Sequence, residues 1–179
     1  MTTILLARHG ETDWNAERRV QGHTDRPLNE AGIAQARALA NELAGERIDA
    51  VYASDLTRAL DTARAVAEPR GLPVVQVHDL RERSFGTWEG LLDEEILQRF
   101  PEAHNGPWGD DETPEELDER VVDALTDIAA RHPEGQVLVV SHGGPLRAVF
   151  RRCGAPNERV ANCHVARLAV EDGTLRRLD

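Results

Sequence analysis

Two histidines stand in matching local settings, His9 within Leu6-Ala7-Arg8-His9-Gly10 and His142 within Ser141-His142-Gly143-Gly144. Each follows a short apolar run and precedes glycine, the pattern of a buried strand that delivers its last residue to a loop. Arg8 sets a permanent cation beside His9, and Gly10 leaves little side-chain bulk ahead of it. Such a site invites a phosphate. A neutral imidazole nitrogen attacks phosphorus, and the resulting phosphorus–nitrogen bond is labile to water, so hydrolysis divides into two easier steps. A lone histidine more often has a structural or surface role; only a surrounding pattern overturns that reading.

The elements that must position these rings read as an alternation of strands and helices. Residues 3–7 form a strand. Asn29 and Glu30 cap a helix whose inward face is Ile33, Ala36, Leu39, Ala40 and Leu43, with Gly45 as its stop. Residues 49–53 make a second strand, and Ser54-Asp55 opens a helix to about Glu68, ended by Pro69 and Gly71. An alternating strand over 73–78 leads into a glycine- and charge-rich active loop over 79–90. A short helix over 93–100 and an irregular, lid-like stretch over 104–113 follow. Pro114 begins a longer helix with Leu117, Val121, Ala124, Leu125 and Ile128 on one face. Residues 136–141 are the clearest buried strand, followed by a helix from about Pro145 to Arg152, and Asp172-Gly173 joins two last strands in a tight hairpin.

This order predicts an α/β fold: a three-layer α/β/α sandwich whose central sheet is mostly parallel with an antiparallel edge, in one domain over residues 1–179. Ligands of such sheets bind outside the carboxyl ends of the strands, so His9 and His142 are expected to share a cleft.

Composition narrows the function classes. With 40% apolar and 30% charged residues, the chain has the profile of a soluble globular protein. No apolar run approaches the ~20 residues that span a bilayer and no secretory signal is evident, so a cytoplasmic protein without membrane contact is expected. Cys153 and Cys163 show no metal or disulfide spacing and read as packing residues. The net charge of −11 argues against a general nucleic-acid binder and requires that any anionic substrate be drawn by a local basic cluster.

Further motifs follow in order: Arg8-His9-Gly10-Glu11-Thr12 with Asn15, Gln21-Gly22, Pro27-Leu28, Ser54-Asp55-Leu56 with Arg58, and Thr62-Ala63. They continue through Leu80-Arg81-Glu82, Gly86-Thr87-Trp88-Glu89-Gly90, Ser141-His142-Gly143-Gly144 and Asn162-Cys163. From Ile4 to about Val165 this pattern resembles the histidine phosphatase superfamily, which includes the cofactor-dependent phosphoglycerate mutases. The resemblance implies that His9 is the phosphorylated nucleophile, with Arg8, Arg58 and His142 on the transferred phosphoryl group. It implies further substrate contacts from Asn15, Gln21, Gly22 and the Gly143 backbone, and Glu82 as general acid. Taken alone, Arg58 and Glu82 read as solvated side chains. No metal site and no cofactor are expected: guanidinium forks and imidazole donors already match the charge that develops on the phosphoryl oxygens.

Only residues 90–114 lie where mutases carry a longer insertion, which favours a phosphatase over a mutase, with a non-catalytic phospholigand-binding module as the third reading. The expected substrate is a small phosphomonoester of the sugar phosphate, phosphoglycerate or ribazole phosphate type, selected by residues 19–26, 81–88 and 104–112. A homodimer is compatible with the sequence. His23, His78, His104 and His132 read as surface or capping residues, and His164 is left open beside Asn162-Cys163. Phe85 and Trp88 read either as a shield for Glu82 or as loop anchors.

Overall fold

The computed structural model describes residues 1–106, 108–155 and 159–178. Its strands are β1 (Thr2–Arg8), β2 (Ala50–Ala53), β3 (Val74–Gln76), β4 (Gln136–Ser141), β5 (Val165–Glu171) and β6 (Thr174–Arg177). They form one sheet in the order β3-β2-β4-β1-β5-β6, parallel through β1 and antiparallel from β1 to β6. The helices are α1 (Asp13–Glu17), α2 (Glu30–Glu42), α3 (Thr57–Ala67), α4 (Asp93–Arg99), α5 (Pro114–Ala130) and α6 (Gly143–Arg152).

Strand alternation splits the apolar residues between two helical layers. Ile4, Leu6, Val137 and Val139 face α5 and α6, while Leu5, Ala7, Leu138 and Val140 face α2 and α3. Both faces of the central strands are covered, which is why β1 and β4 read as continuous apolar runs. At ~1.5–3 kcal/mol for each fully buried aliphatic side chain, these two clusters supply the main drive to fold.

The register matters most for function. Arg8 pairs with Ser141 across β1 and β4, so the next residues, His9 and His142, leave neighbouring strands side by side. The His9 N–H donates to the Ser141 carbonyl at 2.9 Å, holding the two strand ends together.

Local signals account for most helix ends. Asn29 Oδ1 accepts the Gly32 N–H at 2.8 Å, and Thr113 with Glu116 forms a reciprocal capping box. Asp172 and Gly173 have φ of 49° and 75°, as a two-residue turn between twisted strands requires. Four expectations are corrected. Helix α3 starts at Thr57, after the expected Ser54-Asp55, because Asp55 is taken by a bidentate pair with Arg81 at 2.7 Å, and Asp25 meets the Thr57 N–H instead at 2.9 Å. Helix α6 starts at Gly143, two residues before Pro145. Ile33 is 43% exposed, because α2 turns Ala36 and Leu39 to the core and leaves Ile33 on its flank. The segment over 73–78 keeps only three residues as edge strand β3 and shows no buried face.

A third, smaller cluster sits apart from the main core. Trp88, Ile96 and Ala103 are buried there, with Phe85, Phe100 and Trp108 packed against them. Trp88 stacks on Phe100 at 4.8 Å, so the lid-like segment is anchored by its own aromatic core.

A test of how the loop after His9 is seated comes from Gly32 on α2. A Cβ there falls 2.0 Å from the Glu11 carbonyl oxygen, a backbone atom that cannot swing aside. Gly32→Ala gains up to ~1 kcal/mol of chain entropy, but displacing backbone costs more. Thermal unfolding is expected to show Tm lowered by ~5 °C or more; an unchanged Tm contradicts this seating.

Candidate active site

His9 emerges from β1 with its ring 2% exposed. Its Nδ1 lies 2.6 Å from the Gly10 carbonyl oxygen. A carbonyl only accepts, so Nδ1 carries the proton and Nε2 presents its lone pair. Burial, then Arg58 and Arg8, hold the pKa of His9 well below 6.5, so the ring is neutral at physiological pH. The surrounding backbone is pinned from several sides. Asn162 Nδ2 donates to the His9 carbonyl at 3.0 Å, and the Gly10 N–H donates to Thr62 Oγ1 at 2.9 Å. Thr62 Oγ1 in turn donates to the Arg58 carbonyl at 2.7 Å.

The His142 ring centroid lies 5.0 Å from that of His9. Arg58 Nε donates to His142 Nδ1 at 3.3 Å, which leaves the proton on Nε2. That Nε2 is buried without a hydrogen-bond partner among the described residues, and so is Arg8 Nε. Burial, followed by Arg58 and His9, keeps the His142 pKa well below 6.5.

Arg58 is fully buried, and its two Nη atoms donate to carbonyls only, Nη1 to Thr24 at 3.0 Å and Nη2 to Gly22 at 2.8 Å. Burial brings its pKa down to about 10, so it stays a cation at neutral pH. Arg8 Nη1 donates to the Val160 carbonyl at 2.6 Å. Among the described residues neither guanidinium is hydrogen-bonded to a carboxylate. The buried Arg58, the partly buried Arg8 and two unpartnered donors, around one free imidazole lone pair, form the complement of an anion with an electrophilic centre.

Glu82 sits on the rim of this cluster. Its Oε2 accepts the Gly144 N–H at 3.0 Å and its Oε1 the Arg83 N–H at 2.8 Å. Gly144 is required there, because a Cβ would fall 1.9 Å from Glu82 Oε1. Arg120 of α5 braces the segment from behind, donating to the carbonyls of Asp79, Arg81 and Glu82 at 2.8, 2.9 and 2.9 Å. Glu112 holds Arg120 at 2.5 Å and accepts the Ser84 N–H at 3.0 Å. A cavity of about 310 Å³ opens beside Glu82, lined in part by Phe85, Trp108, Leu117 and Arg147.

Arg8, His9, Arg58 and His142 are thus brought together, with Glu82 across Gly144. The other expected site residues sit one step back. Asn15 Oδ1 accepts the Thr12 N–H at 3.1 Å, and Asn15 lines a second cavity with Arg8. Gln21 Oε1 lies 2.9 Å from Thr12 Oγ1, holding the turn after His9. Gly22 has φ of 54°, gives its carbonyl to Arg58, and leaves room for Glu89, whose Oε1 would lie 2.0 Å from a Cβ. Gly143 opens α6 beside the Arg8 guanidinium.

Sequence reasoning missed the bracing groups: Thr62 and Asn162 as backbone ties, the Arg120–Glu112 pair, and Glu89. The Glu89 carboxylate accepts from the backbone N–H groups of His23, Thr24 and Phe85 at 2.9, 2.8 and 3.1 Å. No local signal marks these residues as partners, since the groups they join lie far apart in the chain. His23 is corrected from a surface reading, because its Nε2 donates to the Glu82 carbonyl at 2.9 Å. His132 is also partnered, with Tyr52 Oη 2.8 Å from its Nε2. His78 and His104 are exposed, and His164 is exposed with its ring edge toward Phe150 at 6.5 Å. Trp88 anchors the lid, while Phe85 reaches the cavity beside Glu82.

Known proteins share both the pattern and the fold. A metal-independent phosphoserine phosphatase of Arabidopsis thaliana is 44% identical over 163 residues, covering 85% of this chain and 68% of the relative. Phosphoglycerate mutase-like protein 4 of the same plant is 38% identical over 185 residues, covering 95% and 80%. The solved structure of Bacillus stearothermophilus YhfR superposes with a TM-score of 0.90 at 33% identity, covering 99% of this chain and 95% of that one. The family model of the histidine phosphatase superfamily (branch 1) matches residues 4–177. With its two strand-end histidines and buried arginines inside that span, the chain belongs to the histidine phosphatase superfamily.

Proposed function

We propose that this chain hydrolyses small phosphomonoesters through a phosphohistidine on His9 Nε2. One observation carries the reading: the only ring nitrogen in the cluster with a free lone pair faces cations and donors that have no carboxylate partner among the described residues. The Nε2 lone pair attacks phosphorus, and the ester P–O bond breaks as Glu82 gives its proton to the leaving alkoxide. The same carboxylate then takes a proton from water, whose oxygen attacks phosphorus and breaks the P–N bond. Arg8, Arg58 and the His142 Nε2–H hold the phosphoryl oxygens, whose charge grows toward the transition state.

Hydrolysis is favoured over mutase chemistry by the covering segment. Between Gly90 and Pro114 the described chain holds only α4 and a four-residue turn, Pro101–His104. A mutase must shelter its phosphohistidine from water while the intermediate reorients, and a cover this short admits water. The mutase-like relative keeps the alternative alive as a test. Given 3-phosphoglycerate and catalytic 2,3-bisphosphoglycerate, the protein is expected to release inorganic phosphate; rapid 2-phosphoglycerate formation without phosphate release overturns this reading. Phosphate binding without release from any ester would instead make it a binding module.

His9→Ala is expected to lower phosphate release from p-nitrophenyl phosphate by ~10³-fold or more and to abolish acid-labile phosphoenzyme. Glu82→Gln should slow alkyl esters at least ~10-fold more than p-nitrophenyl phosphate, because an aryl leaving group needs little protonation. Equal losses for both substrates argue that Glu82 is structural.

A pH dependence follows from the two lowered histidines. Below 6.5 the unfolded chain protonates both rings while the folded chain resists, so stability present above 6.5 is lost as pH falls toward the folded values. Urea unfolding between pH 6.5 and 5 should show a slope of up to ~1.4 kcal/mol per pH unit for each ring. The slope should flatten in a His9→Asn, His142→Asn variant; an unchanged slope shows that other groups cause it.

A further inference from the structure

Gly22, His23 and Thr24 lie consecutively between the buried cation Arg58 and the loop that bears Glu82. The carbonyls of Gly22 and Thr24 both meet Arg58, accepting from Nη2 and Nη1 at 2.8 and 3.0 Å. The half-buried ring of His23, between them, reaches out of the turn, and its Nε2–H donates to the Glu82 carbonyl at 2.9 Å. One tripeptide thus holds Arg58 with its backbone and Glu82 with its side chain. The turn is itself stiff. The Thr24 N–H donates to the Gln21 carbonyl at 3.0 Å, and Gly22 takes a φ of 54°. Glu89 ties the turn to the same loop, since its Oε1 accepts both the His23 N–H at 2.9 Å and the Phe85 N–H at 3.1 Å. A side chain that starts from so fixed a base holds its partner rather than following it.

Arg120 also donates to the Glu82 carbonyl, at 2.9 Å, but from a different frame. Its remaining donors go to the carbonyls of Asp79 and Arg81 and to the Glu112 carboxylate. That pairing refers the segment to α5, whereas His23 refers it to Arg58. A carbonyl oxygen has two lone pairs, so both donors are accommodated, and removal of one leaves the other in place. Loss of the His23 bond therefore changes the aim of Glu82 more than it exposes an unsatisfied group.

We infer that His23 is a positioning residue for the leaving-group acid: it sets the offset between the Glu82 carboxyl and Arg58, so that the proton meets the ester oxygen while the phosphoryl group is held. The inference rests on the reading of Glu82 as that acid. A misplacement of ~1 Å costs a reacting pair up to ~10²-fold. Here the cost falls on esters whose leaving group needs the proton and spares those that leave without it.

Leaving-group dependence tests this, read as kcat/KM for glycerol 2-phosphate divided by kcat/KM for p-nitrophenyl phosphate. This quantity reports transfer to His9 and is blind to the later hydrolysis of the phosphohistidine. His23→Asn, whose amide is too short to reach the Glu82 carbonyl, and His23→Leu should each lower the ratio by ~5-fold or more. His23→Gln, whose amide nitrogen takes the place of Nε2, should keep it within ~2-fold of the wild type. In a Glu82→Gln background, His23→Asn should lower the ratio no further, because the two residues act through one proton transfer. If His23→Leu does not fold, the comparison of His23→Asn with His23→Gln decides alone. With the ratio lowered in Glu82→Gln, an unchanged ratio in His23→Asn, or an equal fall in His23→Gln, overturns this inference and leaves Glu82 as the acid. A Glu82→Gln ratio that matches the wild type overturns the reading of Glu82 and this inference together, as does a wild type that releases phosphate from neither ester.

Discussion

The site depends on keeping cations dry without giving them carboxylates. Burying an unpaired ion costs several kcal/mol even after relaxation. Arg58 offsets that cost with two backbone carbonyls and one imidazole nitrogen, all neutral acceptors. A carboxylate partner would stabilise the fold more and cancel the field that an anionic substrate needs. The same uncompensated field, together with burial, keeps both histidines neutral and so leaves His9 with a lone pair. Electrostatic strain and a free imidazole lone pair are therefore two consequences of one arrangement.

Holding that arrangement falls to the sheet. Parallel pairing of β1 with β4 sets Arg8 opposite Ser141, and the backbone bond from His9 to Ser141 extends the ladder one residue into the site. The sheet is covered on both faces, so this register is strongly specified: a one-residue slip would turn Ile4 and Leu5 to the wrong layers. Gly144 then allows Glu82 to approach the start of α6 at hydrogen-bond distance.

Glu82 is held differently. Its segment is fastened by side chains, chiefly Arg120 with Glu112, and its neighbours pack into an aromatic cluster around Trp88 that is separate from the main core. Rigid strand ends carry Arg8, His9 and His142, while a laced loop carries Glu82. This division lets the loop residues vary while the strand-end cluster stays fixed.

Much of this was legible in the chain. Apolar runs ending in Arg8-His9-Gly10 and Ser141-His142-Gly143 exposed both the sheet and the shared cleft, because strand hydrophobicity and glycine placement are local properties. The caps at Asn29 and Thr113 and the Asp172-Gly173 hairpin were readable for the same reason. The tautomer of His142, the carbonyl ligands of Arg58, the role of His23 and the bracing by Arg120 were not. Each arises where groups tens of residues apart meet, and so does the later start of α3, where Arg81 claims Asp55. Sequence by itself determined which residue types stand at the strand ends; only the tertiary structure decided which of their donors are already spent, since hydrogen bonding depends on distance and direction in space.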